Sequence, residues 1–259
     1  MTQDLEPARL PAGRLQRRAR PPRRGGEEDV PGAVGACSPD EGRRSRQHLL
    51  WNTESRVARG GMEENVRFGR TELEKFRGGT LPDLLGPDVR LLFVGINPGL
   101  RTVAVQTHFG RPGNRFYPAL YRAGIVDRLI GVSDGLSAAD AAHMKAQGIG
   151  ITNIVPFATA RADELTTEQL VEGGRALAAR VGLVRPNVVA VLGVTAYRVA
   201  FRRPKAVAGK QPEDIGGVPL WIAPNPSGLN AHETAGSLAE AYREAAVAAG
   251  VPLFPPPRV

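Results

Sequence analysis

Cysteine is almost missing from this chain: one residue, Cys37, stands among 259. A lone cysteine excludes an intrachain disulfide, a CxxC zinc site and a four-cysteine iron–sulfur cluster. Histidine is sparse too, and His48, His108, His143 and His232 show no HxxxH or similar ligand spacing, so neither a metal nor a cofactor is expected. No apolar stretch reaches the ~18 residues of a membrane span, and no apolar signal core lies near the N-terminus. A membrane partner is therefore not expected, and the cytoplasm is the expected location (the nucleoid, if the source is prokaryotic). A GxxxxGK[ST] phosphate loop is absent, and Gly148-Ile149-Gly150 lacks the third glycine of a dinucleotide site. Pro226-Ser227-Gly228 is not a nucleophile elbow, because no glycine sits two residues after the serine. With no carboxylate pair at a strand end, phosphate chemistry and paired-carboxylate hydrolysis both lose ground.

Lysine is absent from residues 1–61, which hold 12 arginines, 6 prolines and 8 glycines. Such a segment buries too little apolar surface to offset its ordering entropy, and disorder is expected. It is either a nucleic-acid-contacting arm or an over-extended reading frame of a GC-rich gene. A balanced composition begins at Met62, so the expected organisation is a tail over 1–61 and one domain over 62–259. Each part carries a net charge of +4. That balance favours a polyanionic partner without establishing one.

The densest signal in what is present is Arg90–Gly99, RLLFVGINPG. Leu91–Val94 reads as a strand buried on both faces, too short for a helix. Gly95 and Gly99 permit a sharp turn and a close ligand approach. Pro98 holds Asn97 out of the helical region. A single polar side chain thus sits at the carboxyl end of a buried strand, where α/β sheets place their ligands.

Further along, a Gly/Pro loop over 101–113 and a helix over 114–123 are expected. Strands are expected over 150–155, 188–192 and 220–223. Thr166 and Gln169 predict a capping box for a helix reaching about Val184, and a short helix is expected over 195–201. Ser237 and Glu240 predict the cap of a last helix ending near Ala249. Strands alternating with helices predict an α/β three-layer sandwich with a mostly parallel central sheet. Two Asn-Pro loops, at Asn97 and Asn225, then fall at strand ends and line one crevice. Read from the residues alone, each asparagine is either a site amide or a turn cap.

Five ordered blocks carry a resemblance: GINPGL (95–100), FGRPGNRFY (109–117), GITNIV (150–155), GKQ (209–211) and NPSGL (225–229). Together they resemble the G:T/U mismatch-specific DNA glycosylase family within the uracil-DNA glycosylase superfamily. The resemblance implies a monofunctional enzyme that flips uracil, or thymine or an alkylated cytosine, out of a mispair with guanine and hydrolyses its bond to deoxyribose. It implies double-stranded DNA with G:U or G:T mispairs as partner, and a monomer is expected. It also implies that Asn97 holds the attacking water, orienting it because an amide is no strong base. Ile96 and Gly99 would contact the base through their backbone, Phe109 would stack on it, and Asn225 would hydrogen-bond it. Ser227, Gly228, Leu229 and Asn230 would meet DNA, with Leu229 as the wedge, and Lys210 would meet phosphate. Asn114 and Arg115 are expected to cap and anchor the following helix.

Two departures stand out. Pro156 and Phe157 occupy places where relatives carry a polar residue and an arginine, and Asn230 and Ala231 replace a serine and an arginine. The first departure bears on substrate or strand contacts at 156–157, and the second on reading of the opposite guanine and dependence on a mismatch. The alternatives are a general uracil-DNA glycosylase also active on single strands, and a non-catalytic protein that binds mismatched or abasic DNA.

Overall fold

The computed structural model describes residues 68–228, 230, 233–255 and 257. The expected tail over 1–61 and Leu229 lie outside the described residues. Three elements open the fold: α1 (Arg70–Glu74), β1 (Leu91–Gly95) and α2 (Leu100–Ala104). Then come α3 (Phe116–Arg122), α4 (Ala138–Ala146), β2 (Ile149–Asn153), α5 (Thr167–Val184), β3 (Val188–Leu192) and α6 (Val194–Ala200). The last are β4 (Gly209–Ile215), β5 (Val218–Ala223) and α7 (Ala235–Ala248). One sheet runs in the order β2-β1-β3-β5-β4, parallel throughout except for β4, which pairs antiparallel with β5.

Strands β1, β2 and β3 are buried along their whole length. The central two, β1 and β3, therefore read as unbroken apolar runs rather than alternating ones. Alternate residues feed two cores. Leu91 and Phe93 join Phe116, Leu120, Met144 and Tyr242 on one face. Leu92 and Val94 join Val189, Leu177, Val181 and Tyr197 on the other. Helices α3 and α7 pack on each other over the first face, and α5 and α6 over the second. The result is the expected three-layer α/β sandwich.

Helix α5 begins as expected: Thr166 Oγ1 accepts from Gln169 N (3.2 Å) and Gln169 Oε1 from Thr166 N (2.9 Å). Helix α7 starts a turn earlier than expected. Thr234 is its cap, with Ser237 at the third helical position returning the bond to Thr234 N. The earlier start seats Leu238 inside the helix, on the apolar face it shares with Tyr242, Ala245 and Ala246. Four elements, α1, α2, α4 and β4, stand outside the sequence expectations. Helix α2, inside the expected loop, is too short to show a period. Strand β4 carries Pro212 and alternating charge, which sequence patterning reads as non-strand and an edge position tolerates.

Successive crossovers leave β1 on opposite sides of the sheet: β2 pairs with one edge of it and β3 with the other. This reversal of strand order opens a crevice at the carboxyl ends of β1 and β3.

Candidate active site

A cleft of about 1110 Å³ occupies that crevice. Ile96, Asn97 and Gly99 enter it from the end of β1, Asn153 from β2, Leu192 from β3, and Asn225, Ser227 and Asn230 from the loop after β5. His108 and Phe109 come from the loop between α2 and α3. Both Asn-Pro loops therefore line one crevice. Arg70, Arg101, Arg111 and Arg161 also line the cleft, with Glu74 and Asp163 as the lining carboxylates, so its mouth favours an anion.

Asn97 is held through its nitrogen. Its Nδ2 donates to the Phe157 carbonyl (3.2 Å) and to Thr159 Oγ1 (2.8 Å). The orientation is unambiguous chemically. A carbonyl can only accept, and the Thr159 hydroxyl already spends its proton on the Arg161 carbonyl (2.7 Å). The Asn97 carbonyl oxygen is thereby left as the free acceptor of a residue that lines the cleft. The chain after β2 makes this possible by running alongside the Asn97 loop: Ile154 N donates to Gly95 O (2.9 Å) and Val155 N to Ile96 O (2.9 Å). Further on, Thr159 N donates to Pro98 O (3.3 Å). Phe157 contributes its carbonyl here while its ring packs against the second core, which accounts for an apolar residue at this departure from the family pattern.

At Gly95, the buried end of β1, a Cβ would stand 2.5 Å from Asn153 Oδ1 and 3.3 Å from the Phe109 ring, so a side chain there would displace two residues that line the cleft. Phe109 is half-buried with a left-handed backbone (φ 56°), a conformation costly for an aromatic residue. One face of its ring stacks on Phe116 (centroids 4.1 Å apart, planes at 26°), which leaves the other face for a planar ligand. The loop behind it is fixed by Tyr117, whose hydroxyl donates to the His108 carbonyl (3.0 Å).

His108 and Asn153 escaped the sequence reading. His108 is buried, which pushes its imidazole pKa below the usual 6.5 and keeps the ring neutral; the hydrogen bond to Pro82 opposes this more weakly. Its Nε2 lies 3.0 Å from the Pro82 carbonyl and its Nδ1 3.3 Å from Asn153 Nδ2. The end of β2 is held from behind as well. Arg180 donates to Asn153 O (3.1 Å) and Thr152 Oγ1 (2.8 Å), and Thr152 donates to Asp83 (2.7 Å). Asn153 stood inside a quoted motif as an apparent strand residue. His108 looked like an isolated histidine, since no spacing rule connects positions 45 residues apart.

The loop after β5 is clamped by Arg115. Its Nη1 donates to the carbonyls of Ser227 (3.1 Å) and Asn230 (3.0 Å), and its amide to that of Pro226 (2.9 Å). A Cβ on Gly228 would come within 2.7 Å of the Gly113 carbonyl, so only glycine lets these loops meet. Arg115 thus anchors the second loop as well as standing at the start of α3, where Asn114 Oδ1 accepts from Phe116 N (2.9 Å). Asn225 Oδ1 accepts from Ser227 N (3.0 Å), the turn-capping bond that was its alternative reading, and any ligand contact falls to its Nδ2. Lys210 is not among the cleft-lining residues. It is the second residue of β4, paired with Trp221 near the carboxyl end of β5, its ammonium 5.5 Å from the Trp221 ring centre.

An amide tethered through its nitrogen, a stacked aromatic ring and a second amide thus meet at the strand-order reversal of an α/β sheet. The family model of the uracil DNA glycosylase superfamily matches residues 82–249, spanning every strand and all but α1 of the helices. The chain belongs to that superfamily, whose proteins act on DNA as glycosylases hydrolysing the N-glycosidic bond. Among solved structures it is similar to a Methanosarcina acetivorans protein studied by solution NMR and provisionally assigned as a uracil DNA glycosylase. The two share 17% identity over 65% of this chain and 97% of that one, with a TM-score of 0.46.

Proposed function

We propose that residues 62–259 form a monofunctional, monomeric DNA glycosylase acting in the cytoplasm. It removes uracil, with thymine or alkylated cytosine as further substrates, from mispairs with guanine in duplex DNA. The observation that carries this reading is the double tether on Asn97 Nδ2, which leaves its oxygen to hold a water. In the reaction the C1′–N bond breaks with its electron pair leaving on the base, the water oxygen bonds to the sugar carbon, and the proton that water loses goes to the anionic departing base, directly or through solvent. The amide orients that water rather than deprotonating it, a role of position. Backbone N–H groups around Ile96–Gly99 receive the charge growing on the departing base, and one such donor is typically worth about 3–4 kcal/mol. Phe109 stacks on the flipped base, a contact worth about 1–3 kcal/mol. Asn225 Nδ2 contacts the base edge. The segment Ser227–Asn230 meets the duplex, Leu229 fills the gap, and Lys210 binds phosphate. No lysine is matched to a Schiff-base role, so strand cleavage is not expected.

Asn230 favours a second reading. Its Nδ2 donates to the Asn225 carbonyl (3.2 Å) and its own carbonyl accepts from Arg115, so the side chain is engaged within its loop. A residue so engaged is poorly placed to read an opposite guanine, which favours a general uracil-DNA glycosylase. The test is base release from labelled U:G, T:G and U:A duplexes and from single-stranded uracil DNA, with wild type and Asn97→Ala. Release from the guanine mispairs alone, abolished in the variant, supports the mismatch-specific enzyme. Equal release from U:A and single strands moves the protein to the general class. Full activity in Asn97→Ala refutes the assigned mechanism.

A further inference from the structure

We propose that Phe76, on the segment 68–80 that precedes the stretch matched by the family model, is a positioning residue for base release. It braces the strip Phe157–Thr159 that holds the Asn97 amide. The inference rests on the glycosylase reading above and deepens it by naming what keeps the water-orienting group in place.

Asn97 is oriented by the Phe157 carbonyl and Thr159 Oγ1, so its aim is only as firm as that strip. Along an extended strip, successive residues turn their backbone groups to opposite sides. Phe157 and Thr159 face the Asn97 loop, with Thr159 beside Gly99 in a parallel bridge. Ala158 faces the other way: its N–H donates to Gly79 O (2.8 Å) and its carbonyl accepts from Gly78 N (2.9 Å). Thr80 stands opposite Phe157 in an antiparallel bridge. The strip is thus the middle of three segments, 78–80, 157–159 and 97–99. Without the first, the buried Ala158 would lose the partners of its N–H and its carbonyl.

Side chains close the same joint. Ala158 is buried with Leu100 and Val103 of α2, the helix that starts directly after the Asn97 loop, and Leu73 and Phe76 pack against this cluster. The fit is close: a Cβ on Gly79 would stand 3.0 Å from both the Phe76 carbonyl and Val103 Cγ1. Arg77 adds an ion pair to Glu164 beyond the strip, exposed and therefore weak. Phe76 does not line the cleft, whereas Leu73 and Leu100 do, so Phe76 acts only through its neighbours. Its loss loosens the strip from α2, and the Asn97 amide that bridges the two turns away from its aim.

The test compares wild type, Phe76→Ala, Asn97→Ala and the double variant in single-turnover uracil release from a U:G duplex. Binding of a duplex carrying non-cleavable 2′-fluoro-arabino uridine is measured alongside. Phe76→Ala is expected to slow release about tenfold, the loss of roughly one hydrogen bond on the amide, with binding unchanged. It should slow the residual release of Asn97→Ala no further. Phe76→Leu, which keeps most of the apolar contact, should restore most of the rate. A rate changed less than about twofold, or slowed equally in both backgrounds, overturns the proposal, as does a loss that lies in binding. Amide hydrogen exchange reads the brace without activity. In Phe76→Ala the Ala158 and Thr159 amides should exchange about tenfold faster or more, while those of Val94 and Val191 in the central strands hold. Unchanged exchange at Ala158 overturns the brace. Absence of wild-type uracil release, with this exchange shift present, would defeat the glycosylase reading rather than the brace. Should Phe76→Ala not fold, Phe76→Val is judged by the same criteria.

Discussion

Replacing Thr159 with valine isolates the tether that orients Asn97. Valine keeps the shape of threonine and removes one oxygen, which accepts from Asn97 Nδ2 at 2.8 Å and donates to the Arg161 carbonyl at 2.7 Å. What remains on the amide is the longer bond to the Phe157 carbonyl, 3.2 Å. Losing one such bond is worth ~1–1.5 kcal/mol, which, taken wholly from the oriented state, slows base release about 5- to 13-fold. The loss should appear in kcat with KM little changed, because the tether holds the water-orienting amide rather than the DNA. A similar loss of stability, about 1 kcal/mol, lowers Tm by only about 2–4 °C and leaves the variant folded in the assay. Single-turnover release of uracil from a U:G duplex reads the rate directly. The decisive comparison is the same substitution in Asn97→Ala. With no amide to orient, Thr159→Val should cost nothing further there. An equal slowing in both backgrounds would refute the orientation argument.

Three further outcomes are expected. Gly95→Ala places a methyl against Asn153 Oδ1 and the Phe109 ring, both belonging to cleft-lining residues, so uracil release should fall about 100-fold with DNA binding retained; activity within a few-fold of wild type would show that release does not depend on the placement of these two side chains. Tyr242 is fully buried in the α7 core with no hydrogen-bond partner for its hydroxyl among the described residues, so Tyr242→Phe should be neutral or stabilising by up to about 1–3 kcal/mol in thermal or urea melts, and a clear loss would reveal a partner. Burial depresses the folded-state pKa of His108 below 6.5, so the unfolded chain takes up its proton first as pH falls; the contribution is whole above pH 6.5 and is lost as pH drops toward the folded pKa, by at most about 1.4 kcal/mol per pH unit. His108→Gln should flatten that part of a Tm-against-pH curve, and an unchanged curve would show His108 does not carry it.

The regular core was legible before any coordinates. The runs at 91–94 and 188–192 read as strands buried on both faces, because four or five consecutive apolar residues leave no side for water and are too few for an ordinary helix. The capping box at Thr166 and Gln169 acts over three residues, and it located a helix start to the residue. Elements shorter than a hydrophobic period, such as α2, left no trace. Strand β4 hid behind Pro212 and its charges, since an edge position forgives what a central strand would not.

The site divided along the same line. Gly-Ile-Asn-Pro-Gly placed Asn97 at a strand end by local backbone chemistry alone, and the second Asn-Pro loop followed by the same reasoning. What orients Asn97 lies 60 and 62 residues away, at Phe157 and Thr159, and what orients Asn153 lies 45 residues away, at His108. Arg115 reaches across 112 residues to hold the loop at Ser227. Sequence determines which groups can donate or accept and how each short segment bends, because torsions and caps act over a few bonds. Which donor meets which acceptor was decided only when the parallel sheet brought the carboxyl ends of β1, β2, β3 and β5 to one cleft, because hydrogen bonds act over 3 Å of space and are blind to distance along the chain.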